Sequence, residues 1–397
     1  MKVGLYLHVP FCRRKCAYCD FVSYPAATAD TAGYVRAVQT EITRRGEAVR
    51  DRLTLAGLYV GGGTPTVLTA DALAAILATV RRHFHWPENL EATVEANPET
   101  VCLSGLEKLR RSGINRISIG MQAAQDSLLA VLGRGHRFAD VRAAVRAARR
   151  AGYTNLNLDL ISGIPGQTLR DWRRTLAAAL ALEPEHIAAY SLEIPPGSVL
   201  AVRLARGELP AVPEEEAYEM FQTTREVLVK AGFEHYEIAN FARPGYACRH
   251  NLIYWMNEPY LGFGPAAHSH WNGCRWANEK DPAVYAARLA AGEWPVAERE
   301  ELDLVTQMGE TMFLGLRLRR GVGREQFRRR FGLDLETVYG AGISRLKEQG
   351  LLEEQDGYLR LTERGLPVAN VVFENFVGGA FCVSKPPSAG GAAVGAT

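Results

Sequence analysis

His8-Val9-Pro10-Phe11-Cys12-Arg13-Arg14-Lys15-Cys16-Ala17-Tyr18-Cys19-Asp20-Phe21 gathers three of the chain's seven cysteines, spaced C-x3-C-x2-C, on a loop that leaves an apolar strand over residues 3–9. Three thiolates on one loop can hold three corners of a cubic [4Fe–4S] cluster, because soft sulfur ligands suit iron–sulfur centres. A complete cluster normally takes four cysteines, so this loop leaves one iron open. Arg13, Arg14 and Lys15 add positive charge that favours thiolates and offsets the negative cluster. A structural zinc site prefers four ligands, usually from two separated C-x2-C pairs, and no second pair follows. Three clustered cysteines cannot pair off among themselves as disulfides. Buried structural thiols have no need of so regular a spacing.

Set between Pro10-Phe11 and Asp20-Phe21, the C-x3-C-x2-C loop resembles that of the radical S-adenosylmethionine (SAM) superfamily. The resemblance implies that the open iron binds the amino and carboxylate groups of SAM. It also implies that an electron from the cluster cleaves SAM to a 5′-deoxyadenosyl radical. The longer string Leu5-Tyr6-Leu7-His8-Val9-Pro10-Phe11-Cys12 resembles the branch containing oxygen-independent coproporphyrinogen III oxidase and its haem-chaperone relative, HemW. That likeness extends over residues 5–376.

At 397 residues the chain has room for one large domain and one or two small ones. A hydrophobic content of 47% with 23% charged residues is that of an ordinary globular protein. The net charge of +2 gives no reason to expect nucleic acid or an acidic membrane as a partner. No signal-peptide cleavage pattern and no run of membrane-spanning length are present. Cysteines without disulfide-like organisation point to the reducing cytoplasm.

Beyond the cysteine loop, strand and helix patterns alternate. Residues 31–49 read as an amphipathic helix and 55–60 as a buried strand ending in Gly61-Gly62-Gly63-Thr64-Pro65. Helices are expected at 70–84, 103–112, 138–151 and 169–182, and strands at 90–95, 116–120, 155–160 and 187–192. Strand followed by helix six times over predicts parallel strands with crossover helices, in an open (β/α)6 TIM-like barrel two units short of closure. Parallel α/β folds place their chemistry at the carboxyl ends of the strands. Glu95, Gln122, Arg134 and Asp159 lie at or just after such ends, where charged groups are costly unless paired or bound to something.

A glycine run lets backbone approach a ligand closely, although alone it reads as a tight turn. The resemblance turns these positions into expected SAM contacts. It implies Gly62, Gly63 and Thr64 for the amino and carboxylate end, and Glu95 and Asp159 for ribose or amino groups. Gln122 is implied for ribose and Arg134 for the carboxylate, with Tyr6 and the Tyr18 backbone as two further contacts.

Residues 195–213 form a Pro/Gly-rich connection, 214–231 a helix and 234–238 a last strand. The segment 241–299, read as a connection, carries Cys248-Arg249-His250-Asn251-Leu252-Ile253-Tyr254-Trp255. A neutral imidazole can ligate haem iron and aromatic neighbours can stack on a porphyrin. Chemistry alone favours a hydrogen-bonded packing histidine there. The His-Asn-x-x-Tyr-Trp pattern resembles the HemW signature, which implies His250 as a haem contact.

Helices at 300–317, 324–331 and 335–349 with two short strands over 351–361 predict a small winged-helix-like α+β domain over residues 300–376. The run Arg328-Arg329-Arg330 reads as a solvated helix face, and the tail from Gly378 as disordered. Residues 1–240 then make the barrel. Cys102, Cys274 and Cys382 read as incidental.

Two functions share this scaffold, a coproporphyrinogen decarboxylase and a haem-binding chaperone that passes haem to an acceptor haemoprotein. The oxidase pattern continues to a fourth cysteine where this chain has Phe21, and that residue, with the His250–Trp255 string, favours the chaperone. An electron donor is an implied further partner. Methyl transfer on another tetrapyrrole has no specific motif here.

Overall fold

In six segments apolar residues recur at every second position, the period of a pleated strand. The computed structural model describes residues 1–49 and 53–377. It places those segments in β1 (Lys2–Val9), β2 (Thr54–Gly62), β3 (Ala92–Ala96), β4 (Arg116–Gln122), β5 (Leu156–Ser162) and β6 (His186–Ser191). They pair in parallel and in chain order. Crossover helices α1 (Thr31–Ala48), α2 (Ala70–His83), α3 (Leu103–Arg111), α4 (Phe138–Arg150) and α5 (Leu169–Leu180) connect them, and α6 (Glu214–Lys230) follows β6. The sixfold strand–helix alternation expected from sequence is therefore present. Helix starts carry their signals: Asp30 accepts the Gly33 N–H at 2.7 Å, and Thr168 with Asp171 forms a capping box.

One face of the sheet, including Leu5, Leu7, Leu58, Val60, Val94, Ile117, Ile119, Leu158 and Leu160, joins the hydrophobic core under the helices. The opposite face presents Tyr59, Glu95, Arg116, Ser118, Asn157, Asp159 and His186 to the barrel interior. Parallel sheets covered on both faces are usually apolar on both. Here the inner face is polar yet buried, with Arg116 only 2% exposed and His186 1%. Such groups must satisfy one another or a ligand.

The barrel stays open because other strands occupy its edges. β7 (Glu234–Glu237) and β8 (Asn240–Ala242) continue antiparallel from β6, with β8 innermost. On the other side β9 (Tyr260–Phe263) runs parallel to β1, followed antiparallel by β10 (His268–Trp271), β11 (Cys274–Asn278) and β12 (Val296–Glu301). The stretch read as a connection thus supplies sheet. It also supplies α7 (Arg249–Trp255), which lies against the amino-terminal half of the strands. Gly4 and Gly57 leave room there for Ile253 and the His250 backbone, and Glu91 accepts the Arg249 N–H at 2.8 Å.

This first compact unit runs Met1–Leu302, and a second begins at Asp303. The second holds α8 (Leu304–Gly315), α9 (Arg324–Phe331) and α10 (Leu335–Glu348), with a small sheet ordered β13 (Val322–Gly323), β15 (Tyr358–Leu361), β14 (Leu352–Gln355). The expected winged-helix-like arrangement is present. Its first helix begins at Leu304 rather than residue 300, because 296–301 is strand and Asp303 caps the helix through the Thr306 N–H. The tail expected to be disordered, with Cys382, lies outside the described residues. Among the described residues no helix is long and apolar enough to cross a membrane.

Candidate functional site

The cysteine loop is held by its backbone. Ala17 N–H donates to Leu132 O and Leu200 N–H to Ala17 O, each at 2.9 Å, and Tyr24 N–H donates to Pro10 O at 2.7 Å. Cys12, Cys16 and Cys19 are free, partly exposed thiols lining one cavity of about 450 Å³. Burial pushes the Cys12 and Cys19 thiols up from their ordinary range, against which the Thr64 hydroxyl, 3.5 Å from Cys12 Sγ, acts in the other direction. Among the described residues no three His, Cys, Asp or Glu side chains converge as they would around a single ion. Three thiols on one cavity suit an iron–sulfur cluster.

The glycine run and the cysteine loop are one construction. Gly63 N–H donates to Val9 O at 2.9 Å and Thr64 N–H to Phe11 O at 2.7 Å. Gly62 has φ +111°, where a side chain is strained, and a Cβ there would sit 2.7 Å from the His8 ring. A Cβ on Gly63 would meet the Phe11 carbonyl oxygen at 2.6 Å. Only glycine lets these two chains lie so close.

The strand ends bring the polar groups to the same cavity, which Glu95, Gln122, Arg134 and Asp159 all line. Glu95 accepts the Tyr59 hydroxyl at 2.9 Å and the Gly62 N–H at 3.1 Å. Its carboxyl is pushed up to about 7 by burial and by the nearby Asp159. Asp159 is also raised by burial, opposed by hydrogen bonds from Asn157 at 2.7 Å and Ser118 at 3.0 Å. Gln122, at a β-bulge closing β4, takes φ 63°, a strained backbone that functional sites tolerate. Burial opposes the charge of Arg134, but Tyr18 and Cys16 beside it raise its pKa above the usual arginine value. Its guanidinium donates to Cys16 Sγ at 3.5 Å, to Gly120 O at 3.1 Å and to Asn97. Two part-buried carboxyls, a guanidinium and a glycine backbone suit a ligand bearing both ammonium and carboxylate. These residues fit SAM.

The cavity also takes in Gly62, Gly63, Thr64 and Tyr18, leaving two expected contacts elsewhere. Tyr6 is not on the cavity wall: its hydroxyl is 3.1 Å from His8 Nδ1 and its ring stacks on Tyr59. His250 does not line the cavity either. The ring is 1% exposed, stacked on Tyr59 with centroids 5.4 Å apart, and hydrogen-bonded to Tyr254 at 2.9 Å. Burial lowers its pKa to about 3. The reason is position, since α7 lies at the amino-terminal side of the sheet and the cavity at the carboxyl side.

Wall residues that escaped sequence reading include Tyr59, Tyr190 and Asn97, the last donating to Thr64 Oγ1 at 2.9 Å. Asn97 was detectable, two residues beyond Glu95 and hence on the same face. Tyr59 and Tyr190 read as ordinary strand aromatics. Phe21 stands at the rim, 67% exposed.

Residues 6–179 match the Radical SAM superfamily and residues 302–368 the HemN C-terminal domain. The chain is 35% identical to "Heme chaperone HemW" of Bacillus subtilis (strain 168), over 94% of this chain and 98% of that protein. It is 30% identical to "Heme chaperone HemW" of Escherichia coli (strain K12) over the same shares. The solved coproporphyrinogen III oxidase (HemN) of Escherichia coli, a radical SAM enzyme, superposes with a TM-score of 0.83 at 22% identity, over 95% of this chain and 90% of that one. That likeness establishes a common fold. With a cysteine loop, glycine run and polar rim on one cavity, and with relatives matched almost end to end, the chain belongs to the HemW family of the radical SAM superfamily.

Proposed function

We propose that this chain is a haem chaperone that binds a [4Fe–4S] cluster and SAM, binds haem, and transfers it to an acceptor haemoprotein. The observation that carries this reading is the end-to-end likeness to proteins named heme chaperone HemW. Phe21, standing where the oxidase pattern has a fourth cysteine, supports it. Cys12, Cys16 and Cys19 hold the cluster. Gly62, Gly63 and Thr64 cradle the amino-acid end of SAM, with Glu95, Gln122, Arg134, Asp159 and the Tyr18 backbone around the remainder. When bound, the cluster supplies an electron to SAM, and a cellular electron donor supplies the cluster. The compartment is the cytoplasm.

The test is anaerobically reconstituted protein offered haem, or coproporphyrinogen with SAM. Haem binding without decarboxylated product is expected. Decarboxylated product would establish the oxidase instead, and failure to bind haem would refute the chaperone. A His250→Ala arm addresses ligation. If α7 opens and His250 ligates haem iron, the variant loses the Soret shift of added haem, whereas an unchanged spectrum places haem elsewhere.

A further inference from the structure

Asp159 is the end of a line of hydrogen bonds that all point one way. Both hydrogens of Asn157 Nδ2 are engaged, by Asp159 Oδ1 and Ser118 Oγ, each at 2.7 Å. The Ser118 hydroxyl then donates to Asp159 Oδ2 at 3.0 Å. Asn157 Oδ1 is therefore an acceptor, and the ring nitrogen 2.5 Å away, His186 Nδ1, must carry its proton. Nε2 of the same neutral ring is left to accept, and the Tyr236 hydroxyl lies 2.9 Å from it. Tyr236 in turn accepts the backbone N–H of Cys248 at 3.4 Å. Cys248 is the N-cap residue of α7, the helix carrying His250, Tyr254 and Trp255.

The strand register explains how so few residues span the barrel. Ser118 faces Asn157 on β5, and Asn157 faces His186 on β6, so three strands supply one level beneath Asp159. The ring is 1% exposed, and burial with Arg116 nearby keeps it well below the usual histidine pKa. A permanently neutral, singly oriented imidazole is a fixed connector. Chains of aligned donors polarise one another, so a change at one end is felt at the other.

We infer that His186 is a positioning residue which, through Asn157, fixes Asp159 in its SAM-binding orientation and joins that carboxylate to the Cys248 end of α7. The inference rests on the proposed SAM site. His186 touches no cofactor, and its effect passes through Asp159 alone.

The experiment measures SAM affinity by equilibrium dialysis on cluster-loaded protein, with iron content and circular dichroism as controls. His186→Ala leaves the Asn157 acceptor unpaired and is expected to weaken SAM binding roughly tenfold. In His186→Asn the side-chain amide stands where Nδ1 stood, and affinity is expected to return to within about threefold of the parent. Adding His186→Ala to Asp159→Asn is expected to cost less than about twofold further, since the carboxylate it positions is gone. Parent affinity in His186→Ala, equal weakness in His186→Asn, or an undiminished effect on the Asp159→Asn background would each overturn the inference. If His186→Ala does not fold, Tyr236→Phe, which removes one hydroxyl, should weaken binding about threefold, and unchanged affinity would overturn it. A parent that binds no SAM would overturn the cofactor reading itself, and the inference with it.

Discussion

Glu95 shows how one side chain can be set by its place in the barrel. Burial and the neighbouring Asp159 raise its carboxyl from the ordinary 4.5 to about 7. A raised pKa means that the folded state holds the proton more tightly than the unfolded chain. Its stabilising contribution is therefore complete below about pH 4.5 and is lost as pH rises through about 7. For the cofactor-free protein, urea unfolding should show stability falling over that window by up to about 3 kcal/mol from this group. Glu95→Gln should flatten that part of the profile, and a profile indifferent to the substitution would disprove the shift. A bound ammonium group would reverse the effect by favouring the carboxylate.

Among the elements, the closest dependence is between the cysteine loop and the glycine run. Their two backbone hydrogen bonds, at 2.9 and 2.7 Å, need Gly63 without a Cβ, because the obstructing atom is a backbone oxygen that cannot swing aside. Gly63→Ala should therefore lower iron incorporation and SAM affinity together, as read by iron analysis and SAM titration of the same preparation. Loss of SAM binding with a full cluster would show the two elements to be separable. α7 belongs to the same scale. Its packing against Gly57 and Tyr59 sets the floor of the interior, so its His-Asn-x-x-Tyr-Trp string reads here as structure beneath the cavity.

At the scale of the whole molecule, the large core, from Val3 to Leu289, lies entirely within the first compact unit. A chain ending at Leu302 should therefore keep its cooperative fold and its cluster, as judged by thermal melting and iron content, and failure to fold would show that the second unit is needed. Sequence alone determined the six strand–helix repeats, because periods of two and 3.6 are local and each buried face declares itself. It also determined the cysteine loop and most of the polar residues that share its cavity, because a parallel sheet delivers all its carboxyl ends to one rim. Tertiary structure decided what local pattern does not encode. It placed strands 260–301 on the sheet edge where a connection was expected. It turned Tyr6 inward to His8 and buried His250 behind Tyr59, beneath the cavity wall. It also aligned His186 with Asp159 across three strands. Burial, pKa and hydrogen-bond direction depend on neighbours distant in the chain, and those neighbours are chosen only when the sheet assembles.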